Sequence, residues 1–146
     1  MTARPPRAWR GRHDARGIAH VELAIGGVVL LVLLGLVVFA GRTAAFDTDV
    51  QTAAAAAARA ASRQATPVGA TTAAQQTAAA NLQDTAVSCT SLNVHVTAGS
   101  MEPGSTVSVS ASCLASFSDL APLAMPGQRS FTHTASEVVD TFRGHG

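Results

Sequence analysis

An apolar run over residues 18–40 constrains this chain more than any other feature of its sequence. The run reads IAHVELAIGGVVLLVLLGLVVFA and contains one acid and one histidine, both near its start. As a helix it would measure about 34 Å, enough to cross a hydrocarbon core of about 30 Å with some tilt. We therefore expect a transmembrane helix over residues 18–40. Of the 146 residues, enough remain for one small domain.

The charges around the apolar run predict its orientation. Residues 1–17 contain five arginines and one aspartate, a net charge of +4, whereas from Ile18 onward five arginines face eight acids, a net charge of −3. Because positively charged flanks tend to stay in the cytoplasm, we expect residues 1–17 to form a basic cytoplasmic leader and everything after Ala40 to be exported. A basic arm can also bind nucleic acid, but this one has a single aromatic residue and adjoins an apolar run, so we expect no nucleic-acid partner.

A cleaved secretory signal is the alternative interpretation of the same run. Val38 and Ala40 are small or aliphatic residues at the positions that a cut after Ala40 would require. The apolar core of a secretory signal is usually about 7–15 residues long, however, and this run is longer and carries a carboxylate in its opening turns. The sequence therefore favours a retained anchor.

Glu22 is a carboxylate about one turn into the predicted membrane helix. It costs several kcal/mol there unless it finds a partner or water. It would either reach back to the cytoplasmic headgroups or pair with a cation. Gly17, five residues earlier, ends the basic leader and leaves its backbone open to a peptidase at the inner membrane face. Cleavage there would create an amine on Ile18, which Glu22 of a neighbouring subunit could bind.

Residues 16–24, RGIAHVELA, followed by an aliphatic helix, resemble the processing site of type IV prepilins. In particular they resemble the TadE-like proteins of tight-adherence pilus systems, which read Arg-Gly, a few small residues, Val-Glu and an aliphatic run. The resemblance implies cleavage by a prepilin peptidase between Gly17 and Ile18, and an assembly role for Glu22. It implies other pilin subunits and the pilus assembly machinery as partners. No tyrosine follows Glu22 as in the major pilins of these systems, which favours a minor subunit.

Residues 41–86 predict exported, alanine-rich helices. Apolar residues recur at helical spacing after Arg42, so we expect the first helix to continue to about Gln64, before the Pro and Gly of residues 66–69. A second helix is expected from Ala70 to about Thr85. Its apolar stripe is thin, so it should pack on the first helix or on a sheet.

Residues 87–143 predict a small β-rich domain. Alternation of apolar and polar residues indicates three strands, beginning near Ser91, over residues 106–114 and over residues 129–139. Loops with Pro and Gly separate them. The predicted fold class is α+β: a long N-terminal helix, a second short helix and a three-stranded antiparallel meander covered by the helices.

Cys89 and Cys113 are the only cysteines, and both fall in the exported part, where thiols tend to oxidise. We expect a disulfide between them; two small buried residues, or a pair of metal ligands, are the alternatives. Cys89 and Leu92 have opposite strand parity, so Cys89 is expected outside the regular strand. The order of helix, cysteine, strand and a second strand ending in cysteine is also similar to TadE-like proteins of high-GC Gram-positive bacteria.

Signs of catalysis are absent from the sequence. The five histidines are scattered and none stands at metal-ligand spacing with a cysteine or carboxylate, and there is no G-x-S-x-G or phosphate-binding glycine loop. We expect no enzyme activity, cofactor, metal or small-molecule substrate. Besides a pilus subunit, the sequence allows a single-pass membrane-anchored or secreted surface protein with a small disulfide-bonded domain.

Overall fold

The computed structural model describes residues 15–83, 85, 87–116, 118 and 127–141, with side chains from Val21 onward. Its elements are α1 (Ala15–Ser62), α2 (Pro67–Gln83), β1 (Cys89–Ala98), β2 (Thr106–Ser116) and β3 (Gln128–Val138). The predicted α+β class, with two helices followed by three strands, is confirmed. The chain divides after Leu34 into two compact units.

The first unit, as far as it is described, consists of helix α1 up to Leu34. Every side chain over residues 21–34 is exposed, including the large aliphatic ones. By length and composition, α1 is the one helix among the described residues that could cross a membrane. This is compatible with the predicted single-pass anchor.

The second unit begins at Gly35 and packs its helices on one face of a sheet. Alanines of α1 and α2 fill one part of the core together with valines of β2, and Phe46 and Val50 of α1 fill another part with Phe131 of β3. Alternate residues of β2, from Val107 to Ala115, are buried, as expected for a strand with one face covered.

The second helix begins at Pro67, three residues earlier than the sequence suggested. The Thr66 hydroxyl accepts a hydrogen bond from the Gly69 amide at 3.1 Å, and its carbonyl accepts one from the Ala70 amide at 2.9 Å. Thr66 is thus the N-cap, and Pro67 occupies the first helical position, where its missing N–H has no consequence. Residues that were expected to separate the two helices instead start the second one.

The sheet has the order β1-β2-β3, with both neighbouring pairs antiparallel, which confirms the predicted meander. An irregularity lies near the start of β1, where Cys89 is opposite Ala115 but Ser91 is opposite Leu114. The extra residue, Thr90, is a β-bulge. The expectation that Cys89 lies outside the strand is therefore corrected: Cys89 lies within β1, and the bulge brings it to the same face as Leu92.

The other face of the sheet is lined by hydroxyl groups. Ser108 and Ser136 are linked across β2 and β3 at 2.6 Å, and Ser112 and Thr132 at 2.8 Å. These side chains are exposed or half-buried. The alternation predicted from the sequence thus separates an apolar, helix-covered face from a polar one.

Candidate functional site

The predicted processing residues lie at the start of α1. Gly17 and Ile18 have helical backbone, since α1 begins at Ala15. Residues 1–14 of the basic leader, and the side chains of residues 15–20, lie outside the described part of the chain. Cleavage between Gly17 and Ile18 stays a prediction.

Glu22 lies on the exposed apolar surface of α1. It lines a shallow depression together with Leu23, Gly26, Gly27 and Leu30, which we call the Glu22 face. Within the described residues, no hydrogen bond or ion pair reaches the Glu22 carboxylate. A Cβ added at Gly26 or Gly27 would meet no atom within 4 Å. The described chain therefore provides neither a partner for the carboxylate nor a packing reason for the two glycines.

The disulfide predicted between Cys89 and Cys113 is present. It joins β1 to β2 with the two Cα atoms 5.5 Å apart. Cys113 is fully buried and Cys89 is half-buried, and both belong to the part of the core that contains Phe46 and Phe131. The bond therefore crosslinks the sheet at the place where α1 packs on it.

Polar contacts between α1 and β3 were not foreseen from the sequence. His133 Nε2 lies 2.9 Å from Asp47 Oδ1, and the Arg59 guanidinium lies 3.7 Å from a Glu137 carboxylate oxygen. Both strand residues lie on the helix-covered side of the sheet, which they share with the apolar side chains of Phe131 and Ala135. The Arg59 side chain is 62% exposed and the Glu137 side chain 40%, so water screens their pair and it contributes little.

A second depression lies between α1 and the start of β3, and we call it the Arg129 cleft. The residues that line it are Phe39, Ala40, Thr43, Ala44, Asp47, Arg129 and Phe131. The Arg129 guanidinium carbon lies 5.2 Å from the centre of the Phe131 ring, a cation–π contact. Arg129 could not be recognised as a site residue from the sequence, because only the fold brings it close to α1.

Within the described ranges, no three His, Cys, Asp or Glu side chains are grouped so as to hold a metal ion. Compared with known proteins, the chain matches no protein-family model, no curated protein and no solved structure.

Proposed function

We propose that this protein is a TadE-like minor pilin or pseudopilin that takes part in the assembly of a tight-adherence pilus. In this proposal residues 1–17 are a cytoplasmic leader removed by a prepilin peptidase, residues 18–40 span the membrane, and the disulfide-bonded unit is exported. The observation that carries the proposal is the Glu22 carboxylate, which is exposed on an apolar helix with no partner among the described residues.

The Glu22 carboxylate needs a counter-charge if it is to lie within the hydrocarbon. A carboxylate at the centre of a membrane helix costs about 2.5–3.5 kcal/mol on insertion scales, and less near the headgroups. Cleavage after Gly17 would place a positive amine on Ile18 of each subunit. The Ile18 amine of a neighbouring subunit could then pair with Glu22. Assembly would in this way remove the free-energy cost of an unpaired carboxylate in the membrane helix of a single subunit.

Two further features support a subunit that associates through its helix. The Glu22 face includes Gly26 and Gly27, and small residues in membrane helices allow a partner helix to approach closely. Helix α1 supplies both this surface and, over residues 35–62, part of the core of the second unit. Contacts made by the apolar segment would therefore join subunits without using the exported core.

The test replaces Glu22 by Ala in the full-length protein, in cells that make the other pilins. Membrane insertion is measured by resistance to alkaline extraction, cleavage by intact mass, and assembly by co-purification with the other pilins. We expect insertion and cleavage to be unchanged. Co-purification should fall on the order of a hundredfold or more, since breaking a buried ion pair from one side costs about 3–5 kcal/mol.

Glu102→Ala is the matched control, because it removes an exposed carboxylate from the second unit. It should leave all three measurements at the wild-type level. If Glu22 only reaches back to the headgroups, Glu22→Ala protein will be recruited normally, and that result would contradict the assembly role.

A surface protein without a pilus role is the second candidate, favoured by the division of the chain after Leu34 into two units. The second unit has its own core and disulfide. This unit could act as a surface domain that stays attached to a membrane anchor, or as a secreted domain released by cleavage after Ala40. A mature protein beginning at Gly41 would identify the released form.

A further inference from the structure

The Arg129 cleft lies beside the end of the apolar run. All its lining residues belong to the second unit, and two of them, Phe39 and Ala40, are the last residues of the run. If residues 18–40 span the membrane, the helical wall of the cleft begins where the run leaves the hydrocarbon. The cleft would then lie at the outer membrane–water interface.

Arg129 gives this cleft a guanidinium that forms no ion pair with the described residues. Its side chain is exposed, and no described carboxylate lies within ion-pair distance of its guanidinium. The one acid in the lining, Asp47, is held by His133 at 2.9 Å. The Phe131 ring lies beneath the guanidinium, with 5.2 Å between the guanidinium carbon and the ring centre, a cation–π contact that takes up none of the acceptor oxygens a ligand would bring.

We propose that the Arg129 cleft binds the headgroup of an anionic phospholipid from the outer leaflet. Arg129 donates hydrogen bonds to the phosphate oxygens, a bidentate geometry that suits guanidinium and phosphate. Phe39, together with the small exposed part of the Phe131 ring, supplies an apolar wall for the carbons next to the headgroup. The charge complementarity and the continuity with the apolar run select a lipid as the occupant. This inference rests on the membrane anchorage included in the proposed function.

Arg42 provides a test of whether the cleft or only nearby positive charge matters. Arg42 is exposed on α1 and lies close to the end of the apolar run, but it does not line the cleft. A general attraction of cations to anionic lipid would involve Arg42 as much as Arg129. A built site would depend on Arg129 and Phe39 alone.

The experiment titrates full-length protein in neutral detergent with phosphatidylglycerol, phosphatidylcholine or inorganic phosphate, and counts bound lipid by native mass spectrometry. We expect one phosphatidylglycerol per chain to be retained in preference to phosphatidylcholine. Arg129→Gln should weaken this binding about tenfold or more, the usual range for a charge-assisted hydrogen bond. Phe39→Ala should weaken it too, while Arg42→Gln should change it less than about threefold.

Arg129→Lys guards against a folding defect, because it keeps the charge but loses the planar fork. The affinity of Arg129→Lys protein for phosphatidylglycerol should lie between those of wild type and Arg129→Gln. Equal lipid retention by wild type and Arg129→Gln would overturn the proposal, as would equal losses in Arg129→Gln and Arg42→Gln. Inorganic phosphate that competes fully with the lipid would show an anion site instead of a lipid site.

Failure of this inference can be told apart from failure of the proposed function. A mature protein that begins at Gly41 would remove the anchor and the premise of both. An anchored protein whose lipid binding ignores Arg129 contradicts the lipid site alone. Lipid binding that depends on Arg129, with no recruitment into pilus complexes, contradicts the pilin proposal alone.

Discussion

Phe46 on α1 and Phe131 on β3 meet edge to face, with their ring centroids 5.1 Å apart and their planes at 89°. Both rings are almost fully buried. This geometry suits the ring quadrupoles and contributes about 0.5–1.5 kcal/mol beyond burial alone. Phe131 also makes the cation–π contact with the Arg129 guanidinium, so the same ring belongs to the core and lines the cleft that we propose binds lipid.

Replacing Phe46 by Ala should destabilise the second unit by about 3–5 kcal/mol, because the lost ring leaves a cavity beside Phe131. The measurement is the denaturant midpoint of unfolding with the disulfide intact. Val68→Ala is the control, since Val68 on α2 is 78% exposed and should change stability by less than about 0.5 kcal/mol. Equal midpoints for the two variants would show that the ring pair is not central to the fold.

Replacing both cysteines by serine should cost roughly 3.5 kcal/mol in the chain-entropy account, because the Cys89–Cys113 bond spans a sequence separation of 24. The unfolding midpoint measures the loss. Intact mass after alkylation, with and without prior reduction, establishes the bond itself. Alkylation of both thiols without reduction, in protein taken from oxidising conditions, would contradict the disulfide.

Met101 offers a test of backbone strain against side-chain burial. It is 5% exposed and has a φ of 57°, a left-handed conformation that disfavours L side chains. Met101→Ala and Met101→Gly both lose the buried side chain, but only glycine relieves the backbone. We expect the glycine variant to be more stable than the alanine variant by about 1 kcal/mol, the reverse of the order in a helix. Thermal unfolding of the two variants decides it, and a more stable alanine variant would contradict the strain.

The periodicity of the sequence was enough to predict the elements and the covered face of the sheet. Alternation over residues 106–114 places Val107 and Val109 on one side of the strand, and both are buried in the structure. Pro67 was ambiguous, because the same residue ends one helix or begins the next, and only the bonds made by Thr66 decide between the two. The bulge at Thr90 likewise depends on the register with β2.

The candidate sites divide in the same way. Glu22 and Gly17 could be selected from the sequence because the motif that contains them is a short, continuous segment. The two cysteines could be selected because both fall in the part of the chain predicted to be exported, where thiols tend to oxidise. Arg129 could not be selected in this way, because the residues next to it in the sequence do not indicate that Phe39 will line the same cleft. The contact between His133 and Asp47 spans 86 residues and also depends on the fold.

Leader cleavage predicts a defined N-terminus. Mass spectrometry of the membrane-derived protein should show Ile18 as the first residue. Gly17→Leu should keep the leader, because a large side chain would block the peptidase, whereas Gly11→Leu, elsewhere in the leader, should be cleaved normally. Normal processing of Gly17→Leu protein, or a mature start at Gly41, would contradict cleavage after Gly17.

Gly26 tests whether the Glu22 face packs against another helix. A Cβ at Gly26 would meet nothing within 4 Å, and glycine costs about 1 kcal/mol relative to alanine inside a helix, so the single chain gains nothing from it. Leucine suits lipid, so Gly26→Leu should insert and be cleaved as well as wild type. If a partner helix approaches closely there, the same change should reduce co-purification with the other pilins, as Glu22→Ala does.

Gly41→Leu is the matched control for this prediction. Gly41 also has open space around its Cβ position, but it lies just beyond the apolar run. It should therefore leave recruitment at the wild-type level, and the comparison separates the loss of a glycine in α1 from the loss of close helix packing. Normal recruitment of Gly26→Leu protein would mean that no helix packs closely on this face. Glu22 would then have to meet its counter-charge at a distance from the partner's backbone, through the headgroup region rather than within the hydrocarbon.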